Sequence, residues 1–270
     1  MKTLSRIYNA LIFAFLYTPI LVLIVFSFNA GWSRVRWSGF SLKWYEKLFH
    51  NDLILDSLVV TLQVAVIAAV VATVIGTAAA VGMFGMNNRL RKVFMAVNNI
   101  PMVNPEIVTG ISMMLMFVFI FHATGWLKPG FTTLVIAHIT FCIPYVVLQV
   151  MPKLRQMNPY MYEAALDLGC HPVEAFFRVV LPEIMPGVFT GALMAFTMSL
   201  DDFVISYFNS GSTAQTLSVT IYSMTKKPIT PEINTLSTLM FGAVLLLLLL
   251  VNIRQIRSLA GKNRKREIDK

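Results

Sequence analysis

The sequence predicts an all-α fold, a polytopic bundle of six transmembrane helices, and three observations carry that expectation. Of the 270 residues, 57% are hydrophobic and only 13% charged, where about a quarter of an ordinary globular chain is charged, and mean hydropathy is +0.70. Six apolar stretches, near 7–28, 58–84, 93–121, 132–151, 184–208 and 236–253, are each long enough to cross about 30 Å of hydrocarbon as helix. An even number of spans puts both termini on one side, and that side collects fifteen of the 22 basic residues, from Lys2 and Arg6 to the run 254–270, against seven on the other. By the positive-inside rule the termini are cytoplasmic.

Span 7–28 exceeds the usual length of a signal-peptide apolar core, and Ser27-Phe28-Asn29 offers no small-x-small cleavage site, so it reads as a retained anchor. The outer loop 29–57 contains a short amphipathic helix that Ser41 caps; Trp44, Tyr45, Leu48 and Phe49 form its apolar face, suited to the membrane interface or a partner. Span 93–121 begins with Asn98-Asn99-Ile100-Pro101-Met102-Val103-Asn104-Pro105-Glu106. Two prolines remove two backbone donors, so the helix is kinked or broken there, which membranes tolerate where backbone is buried or lines a cavity. Counted from Val93 at about 1.5 Å per residue, Glu106 lies roughly 20 Å in. A carboxylate at that depth faces protein or water.

Span 184–208 carries a second acidic group. Ser199, Asp202, Ser206 and Asn209 recur at intervals of three and four, one polar stripe on a continuous helix, while Asp201 points about 100° away. The stripe predicts that Asp202 lines a pathway with Ser199, Ser206 and Tyr207, and that Asp201 shapes it or pairs with another helix. On that reading Asp202→Asn and Glu106→Gln harm transport more than Asp201→Asn. With no Lys or Arg inside any span, Glu106, Asp201 and Asp202 favour a cationic cargo, and Tyr145, Phe203, Tyr207 and Tyr222 could offer ring faces to an ammonium group. The bland alternative makes the three acids bundle glue or helix caps, and His138 a hydrogen-bonded core residue. The run Leu245 to Leu250 is span filler.

Between spans four and five lies a polar stretch, about 158–182, with Glu163-Ala164-Ala165, Gly169 and Val179-Val180-Leu181-Pro182. Asn158 is a fitting N-cap and Pro159 a fitting first helical residue. Gly169 closes that helix in a left-handed conformation. Pro172 opens a second helix with Val173, Phe176, Phe177 and Val180 on one face and Glu174 and Arg178 on another. A membrane protein has little reason to build a capped amphipathic hairpin in a loop unless something docks on it.

Other chemistries find no support. Cys142 and Cys170 are too far apart for a CxxC metal site, and no disulfide is expected. No Ser/His/Asp spacing suggests an intramembrane hydrolase. The basic tail after Asn252 has no aromatic residue to stack a base, so it reads as a lipid-facing segment rather than a nucleic-acid contact. No GxxxxGK[ST] run is present, so the chain is not an enzyme that hydrolyses ATP, and it needs no cofactor of its own.

The Glu163 to Pro182 spacing resembles the signature loop of ATP-binding-cassette (ABC) importer permeases, with Val179 where that pattern usually has Ile. Lys43-Trp44-Tyr45, the segment from His138 to Pro144, the segment from Phe196 to Asp202, and Pro231-Glu232-Ile233-Asn234 extend the likeness to the C-type permease of bacterial spermidine/putrescine ABC importers. The resemblance implies a single type I importer permease domain over 1–270 in the bacterial cell membrane. It also implies three kinds of partner, a B-type permease, a pair of ATPase subunits that bind ATP and Mg, and an extracytoplasmic polyamine-binding protein; membrane lipid is a fourth partner expected from the composition and the basic tail. Glu163, Ala164, Ala165, Gly169, Leu181 and Pro182 then form the ATPase-coupling loop. A permease for iron, thiamine or a phosphonate is the nearest alternative. A cation channel or secondary transporter would share the acids but has no need of the knob.

Overall fold

A computed structural model gives the fold and describes residues 2–33, 36–158, 160–226, 231–246 and 249. Among the described residues the regular structure is helical, with one isolated bridge between Asn29 and Phe40. In chain order the helices are α1 (Lys2–Ser27), α2 (Lys43–Phe49), α3 (Asp52–Gly85), α4 (Asn88–Val103), α5 (Glu106–Thr124), α6 (Phe131–Gln156), α7 (Tyr160–Asp167), α8 (Pro172–Ala175), α9 (Leu181–Asp201), α10 (Val204–Asn209), α11 (Leu217–Thr225) and α12 (Glu232–Leu246). Five segments among the described residues are long and apolar enough to span a membrane: Tyr8–Ser27, Asp52–Gly85, Glu106–Thr124, Phe131–Gln156 and Pro172–Asp201. The sixth expected span begins in α12, and most of its remainder, like the basic tail, lies outside the described residues.

The chain divides into two compact units, Met1–Asp52 with Ser223–Lys270, and Leu53–Tyr222. In the first, α2 buries part of the face expected at the interface. Trp44 is fully buried and its indole N–H donates to the Asn29 carbonyl at 2.7 Å, while Leu48 is buried beside it. Lys47 pairs with the carboxylate of Glu232 and lies 5.8 Å and 5.7 Å from the rings of Trp32 and Trp44. An amphipathic stripe says only that one face leaves water; here Trp44, Leu48 and part of Tyr45 turn onto their own chain while Phe49 stays exposed. Leu42, not Ser41, stands at the N-cap of α2 and supplies no side-chain cap, although the Ser41 hydroxyl accepts the Lys43 N–H at 3.1 Å from one position further out.

In the second unit α6 packs along α9 and forms the core with it, through Val146, Val147, Val150, Ile184 and Ala195. Small residues set the distance. Gly187 and Gly191, four apart on α9, and Gly76 on α3 all face α6: a Cβ at Gly187 would come within 2.9 Å of the Gln149 carbonyl oxygen, and one at Gly76 within 2.8 Å of Val146. Membrane helices gain van der Waals packing from such close approach because lipid supplies no hydrophobic drive between them. Gly187→Val is therefore expected to lower the stability of the purified chain by about 1–3 kcal/mol, read as a lower thermal midpoint, with Gly82→Val as control because nothing lies near its Cβ position.

The third expected span is two helices. Asn104 is extended at ψ 141°, and Pro105 starts α5, while Pro101 sits inside α4 without ending it. Pro105 lacks an N–H and disfavours a helical residue before it, which is why the break falls at Asn104. Glu106 consequently stands in the first turn of α5, where the helix dipole favours a carboxylate, rather than along an unbroken helix.

Candidate functional site

The polar loop folds as the local signals demand. The Asn158 side chain accepts the Tyr160 N–H at 3.1 Å, capping α7, while Pro159 lies outside the described residues. At the far end Gly169 has φ +87°, its N–H donates to Leu166 O at 2.9 Å, and the Cys170 N–H donates to Ala165 O at 3.1 Å. These two bonds are the Schellman closure of a helix, which needs a left-handed residue. Glu163 and Ala164 are exposed and Ala165 is tucked beneath. Glu174 and Arg178 pair at 2.8 Å, one turn apart.

The second half, expected as a helix that Pro172 opens, does begin there but is not regular. After α8, residues Phe176–Val180 form a π turn in which the Leu181 N–H reaches Phe176 O, and the chain runs into α9 without a stop. Pro182 would otherwise crowd the carbonyl four residues back, and the wider turn relieves it. Leu181 is half-buried and Pro182 exposed in the first turn of α9. Leu168 (86% exposed), Tyr160, Val173 and Phe177 project from this knob. Exposed large apolar groups beside an acidic residue are what a protein docking surface offers.

A second site lies where α9 ends. The carboxylate of Asp202 accepts the Ile205 N–H at 3.2 Å and the Ser206 N–H at 2.7 Å, taking up donors that the first turn of α10 leaves free. Its backbone is extended at ψ 129°, so the helix expected to run to 208 breaks here. His138 on α6 bridges the break: Nδ1 is hydrogen-bonded to Ser199 Oγ at 2.8 Å and Nε2 to Ser206 Oγ at 3.1 Å, with Asp202 Oδ2 3.6 Å from Nε2. Asn209 completes the cluster, donating to Gly110 O at 3.2 Å and accepting from Thr133 Oγ1 through its carbonyl at 3.0 Å. The whole stripe Ser199, Asp202, Ser206 and Asn209 is buried.

The two aspartates differ in burial rather than in which of them reaches the cleft. The stripe marks the inside of the bundle, and its polar groups bond to one another, to His138 and to backbone, except Asn209 Oδ1, which is buried without a partner. Asp201 is the exposed one. It shares an open cleft of about 290 Å³ with Glu106, also exposed, and with Phe141, Thr197 and Phe203. Asp202, buried behind them, also lines that cleft, and no Lys or Arg does. Phe203, Tyr207 and Tyr222 pack as a ring cluster beside it, with centroids 4.8 to 5.8 Å apart and Tyr207 exposed. His138 is the core residue expected from the sequence, though its role as a buckle across a helix break was not legible there. His138→Ala removes a partner from two buried hydroxyls and is expected to destabilise by about 1–3 kcal/mol per unsatisfied group. Lower thermal stability with equal loss of uptake for every substrate would be the readout.

Among known proteins, residues 72–260 match the model of the family described as binding-protein-dependent transport system inner membrane component. The chain belongs to this family. It is 40% identical over 238 residues to the putrescine transport system permease protein PotI of Escherichia coli (strain K12), covering 86% of this chain and 83% of that one. It is 35% identical over 247 residues to the spermidine/putrescine transport system permease protein PotC of Haemophilus influenzae, covering 92% and 94%. By structure it matches a bacterial ABC transporter involved in import of the acidic polysaccharide alginate, with a TM-score of 0.74 over 94% of both chains. At 16% sequence identity that likeness speaks to the fold alone. The chain is thus an ABC importer permease, a multi-pass membrane protein of the type I fold.

Proposed function

We propose that this chain is the C-type permease subunit through which a polyamine importer passes spermidine or putrescine into the cell. The single observation that carries the cargo assignment is the cleft holding Glu106 and Asp201 without a basic neighbour, flanked by Phe203, Tyr207 and Tyr222. A linear polyamine spaces its ammonium groups so that separated acids engage them in turn, and ring faces attract them further. Two opposite charges 4 Å apart gain about 1 kcal/mol in water and about 4 kcal/mol at an effective dielectric of 20. An anion or sugar gains nothing there. The naming of the relatives as putrescine and spermidine/putrescine permeases points the same way.

The uneven distribution of Lys and Arg supports cytoplasmic termini and a cytoplasmic knob. On the knob we place a pair of ATPase subunits, with ATP and Mg bound in them. A related B-type permease lies beside this chain, and an extracytoplasmic polyamine-binding protein delivers the cargo and sets much of the choice between spermidine and putrescine. Closure of the ATPases pushes Glu163, Ala164, Gly169 and their counterparts on the second permease together. That movement rocks the helix bundles from inward-open to outward-open. Asp201, at the last residue of α9, and Glu106, in the first turn of α5, sit on either side of helix breaks, where such rocking changes their spacing.

The test is growth. A bacterial strain lacking its own polyamine synthesis and uptake, given this chain with its neighbouring permease, ATPase and binding protein, is expected to grow on external spermidine or putrescine. Failure to grow on either, with all four proteins present in the membrane fraction or the periplasm, would remove the cargo assignment.

A further inference from the structure

A second cavity in the Leu53–Tyr222 unit, about 680 Å³, is not used by the transport reading. One wall is a single face of α4, bearing Asn88, Arg91, Lys92 and Asn99, and Arg155 from the last turn of α6 closes it. Three cations converge there without an acid in the lining, and none of them forms an ion pair among the described residues. A cleft lined by one sign of charge concentrates the opposite ion.

Arg91 is fixed in advance. Its Nη2 donates to the Met86 carbonyl at 3.0 Å, the guanidinium sits 5.5 Å from the centroid of the Phe84 ring, and its Nε is buried without a hydrogen-bond partner. A group held this way loses little freedom on meeting a ligand. The depth of the groove is fixed as well. α3 ends at Gly85, α4 begins at Asn88, and Arg155 lies in the last turn of a spanning helix, so the basic end of the groove sits where spans leave the hydrocarbon. On the opposite face of α4, Leu90, Phe94, Val97 and Ile100 are exposed and apolar, as on a helix that borders acyl chains.

We propose that this groove binds the phosphate headgroup of an anionic phospholipid from the leaflet on the side of the coupling knob. A basic pocket between membrane helices at headgroup depth suits that chemistry, and a free inorganic phosphate would leave most of 680 Å³ empty. The proposal is independent of the cargo.

The experiment uses the assembled transporter, purified from membranes and exchanged into nanodiscs of equal phosphatidylglycerol and phosphatidylethanolamine, with retained lipid counted by native mass spectrometry. Phosphatidylglycerol is expected to be retained in preference, and the preference to fall by roughly fivefold for each of Lys92→Gln and Arg155→Gln, both exposed side chains whose loss spares the core. Arg155→Lys keeps most of it. Millimolar inorganic phosphate leaves it unchanged. Equal retention of both lipids by wild type and variants would overturn the proposal. Displacement by inorganic phosphate would overturn it in favour of a small-anion site, and retention by the isolated chain but not by the assembled transporter would overturn it in favour of a subunit contact.

Discussion

Gly169→Val is expected to reduce ATP-driven uptake at least about tenfold while the protein still reaches the membrane. Gly169 holds φ +87° with nothing within 4 Å of its Cβ position, so the substitution meets no clash and acts through backbone alone. A left-handed non-glycine residue costs about 1–2 kcal/mol, and a β-branched one sits there least willingly. The strain is relieved by giving up the bonds from Gly169 to Leu166 and from Cys170 to Ala165, which re-aims the turn that carries exposed Leu168. Each 1.4 kcal/mol is tenfold in docking affinity. ATPase co-purification measures it directly: normal recovery of the ATPase with normal uptake would remove Gly169 from the coupling path. Gly169→Asn, which tolerates a left-handed backbone better, is expected to retain most activity.

Replacing both open acids, Glu106→Gln with Asp201→Asn, is expected to lower polyamine uptake at least about tenfold without lowering stability. Each removed charge forgoes about 1–4 kcal/mol of attraction to an ammonium group, depending on how far water is excluded. Neither carboxylate is buried, so the fold does not depend on them. Asp202→Asn should behave differently. Its two oxygens hold the Ile205 and Ser206 N–H groups, and an amide offers only one acceptor oxygen. The loss should appear as lower thermal stability and poorer recovery from membranes. Thermal midpoints alongside uptake rates separate the two cases. Uptake unchanged in the double variant would return Glu106 and Asp201 to a structural role.

The caps of the 158–182 knob are legible in the sequence because their signals are local. Asn158, Gly169 and Pro172 each act on backbone groups within a few residues, and the structure places the caps where those residues require them. The broken third span was legible for the same reason, since Pro105 acts on its neighbour. The helix expected to continue through Asp202 is broken there, which a helical wheel, assuming an unbroken helix, does not show. The break depends on a side-chain cap and on His138, 64 positions earlier, which periodicity along one segment does not contain. Trp44 is a different case: an apolar face on a short helix looks the same whether lipid or protein covers it, and only the Asn29 carbonyl decided the matter. A topology count does not reveal the basic groove, because it treats Arg91, Lys92 and Arg155 only as charge on one side of the membrane, although Asn88, Arg91, Lys92 and Asn99 fall on one helical face.

Uptake of labelled spermidine and putrescine by proteoliposomes containing this chain with its neighbouring permease, ATPase and binding protein tests the central claim most directly. The account requires accumulation of at least one polyamine that depends on ATP and is lost with the Glu106→Gln/Asp201→Asn pair. ATP-dependent uptake of an anion or a sugar, with neither polyamine competing, would contradict it.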